Sequence, residues 1–253
     1  MADLVGPAAF ALLAGCVGGA MNALAGGGTF ATLPALIALG LPANIANATS
    51  NFALLPGACS SAWVYRHEVK PLGGVSLYWL AFVTFLSGLA GGLLLVVTPS
   101  ETFDILIPWL LLFAFAVMLL GAKASSWLRA RVSIGARTLI VSQILLGIYG
   151  GYFGGGVGLV TTALYGLLTG ITVREMFAPR IFMLATANIA AGIIFLWFGM
   201  IDWISCLPML AGAVIGGWLG AHVGKRLPPM AVRIWTLVVT AATTAVFFSR
   251  AYF

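Results

Sequence analysis

Ala25-Gly26-Gly27-Gly28-Thr29-Phe30-Ala31-Thr32-Leu33-Pro34 and Gly150-Gly151-Tyr152-Phe153-Gly154-Gly155-Gly156-Val157-Gly158 decide the fold of this chain. Each contains a glycine triplet that cuts an apolar stretch in two, and the triplets occupy matching places in the two halves of the sequence. Three consecutive glycines make a poor helix interior, at about 1 kcal/mol each relative to alanine. Lacking a Cβ, they also adopt positive φ and admit another backbone or a ligand at close range. A helix broken this way exposes N–H and C=O groups that can bind a solute, and transporters built from two structural repeats hold substrate where such helices meet. The pairing points to a duplicated membrane transporter.

The surrounding residues set the solvent. Of 253 residues 62% are hydrophobic and 7% charged, with a mean hydropathy of +1.11, whereas a soluble domain carries about 25% charged residues. Apolar segments at 4–24, 43–65, 73–98, 103–122, 176–198, 203–223 and 231–249 are each near the roughly 20 residues a helix needs to cross a bilayer. Period-two alternation is absent, which excludes a β-barrel. Shorter pieces at 28–40, 137–152 and 157–170 fit tilted helices or half-membrane hairpins. The N-terminus carries Asp3 and no basic residue before its first apolar run, so it reads as a mature helix and not as a signal peptide. Cys16, Cys59 and Cys206 show no ligand spacing and read as small packing residues.

These pieces give five segments per half, and an odd number inverts the second half relative to the first. The expected architecture is an all-α polytopic membrane protein: a first repeat at 1–122, an inside linker at 123–136 and an inverted second repeat at 137–253. The glycine-broken helices or hairpins lie near the centre. If those hairpins re-enter without crossing, complete spans fall to six; if every piece crosses, they number ten.

Charge placement tests this topology, because Lys and Arg of short loops collect on the cytoplasmic side. With both termini outside, the inner ends hold Arg66 and Lys70; Lys123, Arg129, Arg131 and Arg137; Arg174 and Arg180; and Lys225, Arg226 and Arg233. Arg250 alone falls outside, where Asp3, Glu101, Asp104 and Asp202 also lie. The net charge of +6 is therefore spread over short loops and makes no nucleic-acid footprint. The expected location is the cell inner membrane.

The two halves align weakly beyond the triplets. Gly40-Leu41-Pro42 matches Gly170-Ile171-Thr172, Ala48 through Phe52 falls on Ala178 through Phe182, and Gly91-Gly92 corresponds to Gly216-Gly217. Small residues such as Gly88, Gly91, Gly212, Gly216 and Gly220 also suit close helix packing.

The first-half run from Ala25 to Pro34, with Leu39-Gly-Leu-Pro-Ala43 and Ala46-Asn-Ala-Thr-Ser-Asn51, resembles the signature of the sulfite exporter TauE/SafE family. Gly150 through Gly158, continuing to Pro179-Arg180, is similar to that family's degenerate second copy. The resemblance spans essentially the whole chain. It implies two related transmembrane halves and a small anionic substrate, often sulfite, a sulfonate or a sulfur-containing carboxylate. It leaves the anion and the direction of transport open.

An anion site can be sought from the residues themselves. Helices that begin after each break would direct free N–H groups and a positive dipole end inward, which makes Gly27, Gly28, Thr29, Gly155 and Gly156 candidates. Neutral donors come from Asn22, Asn47, Thr49, Ser50 and Asn51, and from Thr161, Thr162 and Asn188. Arg180, just inside a long apolar segment, offers a planar fork suited to sulfonate or carboxylate oxygens. Each has a plainer use: intramembrane Asn, Ser and Thr join helices, and Arg180 is placed to snorkel to the interface.

All six carboxylates fall at segment ends or in loops, so the usual buried proton or sodium carrier is missing. His67 and His222 sit near the inner face. An anion leaving an inside-negative cell gains about 2.3 kcal/mol per charge for each 100 mV, so efflux by alternating access needs no carried cation and is the favoured reading. Proton-coupled uptake and a passive anion channel are the alternatives. No HExxH, acidic pair, Ser/His/Asp set or phosphate loop is present, so neither catalysis nor a cofactor or metal is expected. The expected partners are the anion and the bilayer, with homo-oligomerisation open.

Overall fold

A computed structural model describes residues 2–64, 66–68, 71–129, 135–169, 175–224 and 229–252. Of the sequence features above, Lys70, Arg131, Gly170 through Arg174, Lys225 and Arg226 lie outside the described residues. The described chain is all-α: α1 (Ala2–Ala25), α2 (Thr29–Ala38), α3 (Ala43–Val64), α4 (Leu77–Val97), α5 (Ser100–Arg129), α6 (Ala136–Tyr152), α7 (Val157–Thr169), α8 (Phe177–Trp197), α9 (Trp203–Gly224) and α10 (Pro229–Tyr252). Stretches within α1, α4, α5, α8, α9 and α10 are long and apolar enough to cross a membrane.

The helix ends follow local chemistry. The apolar run at 73–98 becomes helical only at Leu77, because Gly73 and Gly74 take φ of +55° and +81° in a turn closed by paired bonds between Leu72 and Val75. Helix α5 runs past residue 122 to Arg129, since a helix satisfies its own backbone whether or not lipid surrounds it. Helix α9 starts at Trp203, where the Asp202 carboxylate accepts the Ser205 N–H at 2.9 Å as an N-cap.

Both triplets break the helix. Gly26 takes φ +76°, and Gly154 and Gly156 take +72° and +71°, a region closed to ordinary L-residues at about 1–2 kcal/mol. Each break turns the chain back on itself. Gly28 and Thr32 of the returning helix lie against Gly18 of α1, and Val157 lies against Gly150 of α6.

The helices pack in pairs that map onto one another when the halves are exchanged. Helix α1 packs on α9 as α6 does on α4; α3 packs on α9 as α8 does on α4; α5 packs on α7 as α10 does on α2; and α3 meets α8 at the middle. The α1–α9 and α6–α4 crossings are backbone-close. A Cβ added at Gly216 would enter the Cys16 carbonyl, and one at Gly91 would enter the Ile148 carbonyl. With no hydrophobic force between helices in lipid, such small-residue contact is the main source of association.

Large apolar side chains such as Leu13, Phe82, Leu94, Leu207 and Val238 face outward, an exposed area that only lipid solvates. A second, smaller core gathers Leu77, Leu80, Leu139, Tyr165, Met176 and Met183 where α6 and α8 begin and α7 ends. A buried polar chain crosses it. Tyr165 Oη donates to Gln143 Oε1 at 2.5 Å, Gln143 Nε2 to Thr84 Oγ1 at 2.6 Å, and Thr84 Oγ1 to the Leu80 carbonyl at 2.7 Å.

Candidate anion site at the glycine crossing

The two breaks meet. A Cβ placed on Gly26, just past the end of α1, would stand 2.9 Å from the Cα of Gly158 in the first turn of α7, so the backbones of the two breaks touch. Phe30 of α2, 1% exposed, reaches over to Gly156, where an added Cβ would lie 2.9 Å from its ring. The crossing is thus built from one residue set in each half.

Its donors are backbone. The N–H groups of Gly27, Gly28 and Thr29 make no hydrogen bond within the described residues, nor do those of Gly155, Gly156, Val157 and Gly158. All seven residues are buried. The first four N–H groups of any helix lack an intrahelical partner and are ordinarily met by a capping side chain or water. Here the N-cap of α2 is Gly28, which has no side chain to cap it. Buried N–H groups without partners are rare in proteins, and a concentration of them at helix starts is chemistry suited to negative charge.

Side chains of α3 and α8 close the crossing beside the second break. Asn51, 3% exposed, donates through Nδ2 to Asn188 Oδ1 at 3.4 Å, and the same nitrogen lies 2.9 Å from where a Gly154 Cβ would be. One turn earlier Asn47 donates to the Tyr152 carbonyl at 3.0 Å. Asn47 Oδ1, Asn51 Oδ1 and Thr161 Oγ1 are buried without a hydrogen-bond partner. Leaving such an atom unmet costs about 1–3 kcal/mol.

The other sequence candidates sit elsewhere. Ser50 shares a 2.5 Å hydrogen bond with Thr32, which also donates to the Gly28 carbonyl at 3.2 Å, so Ser50 backs the first break from behind. Thr49 accepts the Asp202 N–H at 3.0 Å and ties α3 to the start of α9. Thr162 donates to the Gly158 carbonyl at 2.7 Å. Arg180 is buried at 7% exposure, eight residues before Asn188 on α8, which is about 12 Å along the helix. Glu101, Asp104, Glu175 and Asp202 stand at helix ends and none is buried; among the described residues no cluster of metal-binding side chains occurs.

One contributor was not singled out from sequence. Tyr149 Oη donates to the Gly155 carbonyl at 2.6 Å. A tyrosine five residues before a glycine triplet was the available signal, since a hydroxyl about one and a half turns back can reach over a helix end.

Comparison with known proteins fixes the family. The model of the family described as Sulfite exporter TauE/SafE matches residues 11–247, nearly the whole chain. The chain belongs to the TauE/SafE family. A TauE/SafE relative of Haemophilus influenzae, named Probable membrane transporter protein, is 30% identical over 232 residues, 90% of each chain. Probable membrane transporter protein YfcA of Escherichia coli K12 is 27% identical over 93% of this chain and 86% of its own. Probable membrane transporter protein ORF9 of a Sinorhizobium species is 30% identical over 86% of this chain and 82% of its own. No solved structure matches the chain. It is a multi-pass membrane transporter of the TauE/SafE type, whose long apolar helices suit that setting.

Proposed function

We propose that this chain carries a small anion, sulfite, a sulfonate or a related sulfur-containing anion, across the cell inner membrane by alternating access, with efflux as its direction. One observation carries the reading: seven residues with buried N–H groups that lack acceptors lie in two glycine breaks that touch. Each helix start carries partial positive charge on its unmet N–H groups. Oxyanions suit such a cradle because several oxygens accept N–H bonds at once. Arg180 adds a full charge toward one end of α8 and serves as the second station for an oxyanion on its way through.

Two inverted repeats, with both termini outside and the basic loops inside, support the alternating movement. The reading draws on the exchange of helix contacts between halves and on the Lys/Arg bias of the loops. Efflux is supported by the absence of a buried carboxylate among the described residues, because an outward-moving anion follows the membrane potential.

A binding screen of the purified protein tests the substrate class. Sulfite, sulfate, methanesulfonate and acetate are titrated with thermal shift as readout; stabilisation by the sulfur oxyanions is expected, and no stabilisation by any of them sinks the reading. In sealed vesicles, efflux should be saturable and stimulated by counter-anion. Uptake that collapses with the proton gradient would instead establish proton coupling.

A further inference from the structure

The two breaks are not held alike. In the second, Tyr149 Oη donates to the Gly155 carbonyl at 2.6 Å and stands 3.5 Å from the Leu110 carbonyl. Its ring is fixed by edge contacts with Phe113 and Phe153, at centroid distances of 5.6 and 5.9 Å. By the register that pairs Gly26 with Gly154, the matching position in the first half is Met21, which has no hydrogen to donate. In the first triplet Thr32 Oγ1, within α2 itself, donates to the Gly28 carbonyl at 3.2 Å, but among the described residues no side chain donates to the carbonyl of Gly27, the counterpart of Gly155.

A carbonyl and the following N–H belong to one rigid plane and point in opposite directions. Holding the Gly155 carbonyl toward Tyr149 therefore turns the Gly156 N–H the other way. That N–H is one of the buried groups without an acceptor. Between two glycines the plane can rotate by half a turn at little steric cost, and rotation would replace a donor in the crossing by an acceptor.

We infer that Tyr149 is a positioning residue that sets the sign of the site, its hydroxyl locking the Gly155–Gly156 peptide so that an N–H and not a carbonyl faces the anion. The inference rests on the anion reading above and assigns the second break as the fixed half of the cradle. The first break, whose Gly27 carbonyl has no side-chain donor, is the half freer to adjust.

The test uses Tyr149→Phe, which keeps the ring and removes only the hydroxyl, and Tyr149→Met, which installs the side chain found at Met21. Phe113→Leu disturbs the packing of the Tyr149 ring but leaves its hydroxyl. Dissociation constants for sulfite, sulfate and methanesulfonate are measured beside the melting temperature of each protein. Tyr149→Phe and Tyr149→Met should weaken every oxyanion the wild type binds by about tenfold, the scale of one lost hydrogen bond. The loss should be larger for doubly charged sulfate than for singly charged methanesulfonate, a difference that a packing defect would not produce. Phe113→Leu should lower the melting temperature and leave affinity within about twofold, less than that one bond is worth. Unchanged affinity in Tyr149→Phe, or equal losses in Tyr149→Phe and Phe113→Leu, would overturn the tether. A wild type that binds none of the three would instead remove the anion reading on which the tether depends.

Discussion

Asn51 gives the sharpest test of whether the crossing is a receptor or merely a packed core. It is 3% exposed, its Oδ1 has no partner, and its Nδ2 makes one long bond of 3.4 Å to Asn188. Replacing it by leucine, of nearly the same shape, removes an unmet acceptor worth about 1–3 kcal/mol. Against that stand the lost bond, about 0.6 kcal/mol for a polar contact between membrane helices, and a newly unmet Asn188 Oδ1 worth about 1 kcal/mol or more. Asn51→Leu should therefore leave stability within about 1 kcal/mol of wild type. The double variant Asn51→Leu with Asn188→Leu, which leaves no amide behind, should be more stable by about 1 kcal/mol, or roughly 2–4 °C in melting temperature. Both should lose sulfite binding by at least about tenfold, since a buried polar partner of the ligand is gone. Melting curves in detergent with and without sulfite measure both effects. A double variant less stable by more than about 3 kcal/mol would mean that the amides hold the fold together, and retained sulfite affinity would place the receptor elsewhere.

Three further outcomes are expected. Gly26→Ala forces an L-residue to φ +76° and puts a methyl 2.9 Å from the Gly158 Cα; it should cost more than the about 1–2 kcal/mol of the conformation alone, read as lower folded yield and lost transport. Gln143→Leu strands the Tyr165 hydroxyl and removes the donor to Thr84, and a fall of about 1–3 kcal/mol in stability with sulfite affinity unchanged is expected from melting and binding curves; unchanged stability would refute the buried chain. Arg180→Ala should abolish transport, while Arg137→Ala, at an exposed helix start, should be mild. Equal transport rates in vesicles for the two variants would reduce Arg180 to a topology charge.

Much of the fold was legible because lipid imposes simple rules. The expected segments 43–65, 137–152, 157–170, 176–198 and 203–223 match α3, α6, α7, α8 and α9 to within a residue or so at each end, since an uninterrupted apolar run must form a helix to satisfy its backbone. The late start of α4 was less legible, because Gly73-Gly74 within an apolar run signals a turn only once Leu72 and Val75 pair. Among site candidates, Thr49 and Asn51 look alike in sequence, two positions apart on one helix. They face different neighbours, Asp202 and Asn188, because two residues are about 200° of helix rotation.

Sequence alone determined the solvent, the helices and the two places where they break, because hydrophobic length and glycine conformational freedom are properties of a few adjacent residues. Only the tertiary structure decided that the breaks touch, that their N–H groups go unmet and that Tyr149 holds Gly155. Those facts depend on which faces of distant helices meet, and the 100° step between neighbouring residues leaves that undetermined until the whole bundle packs.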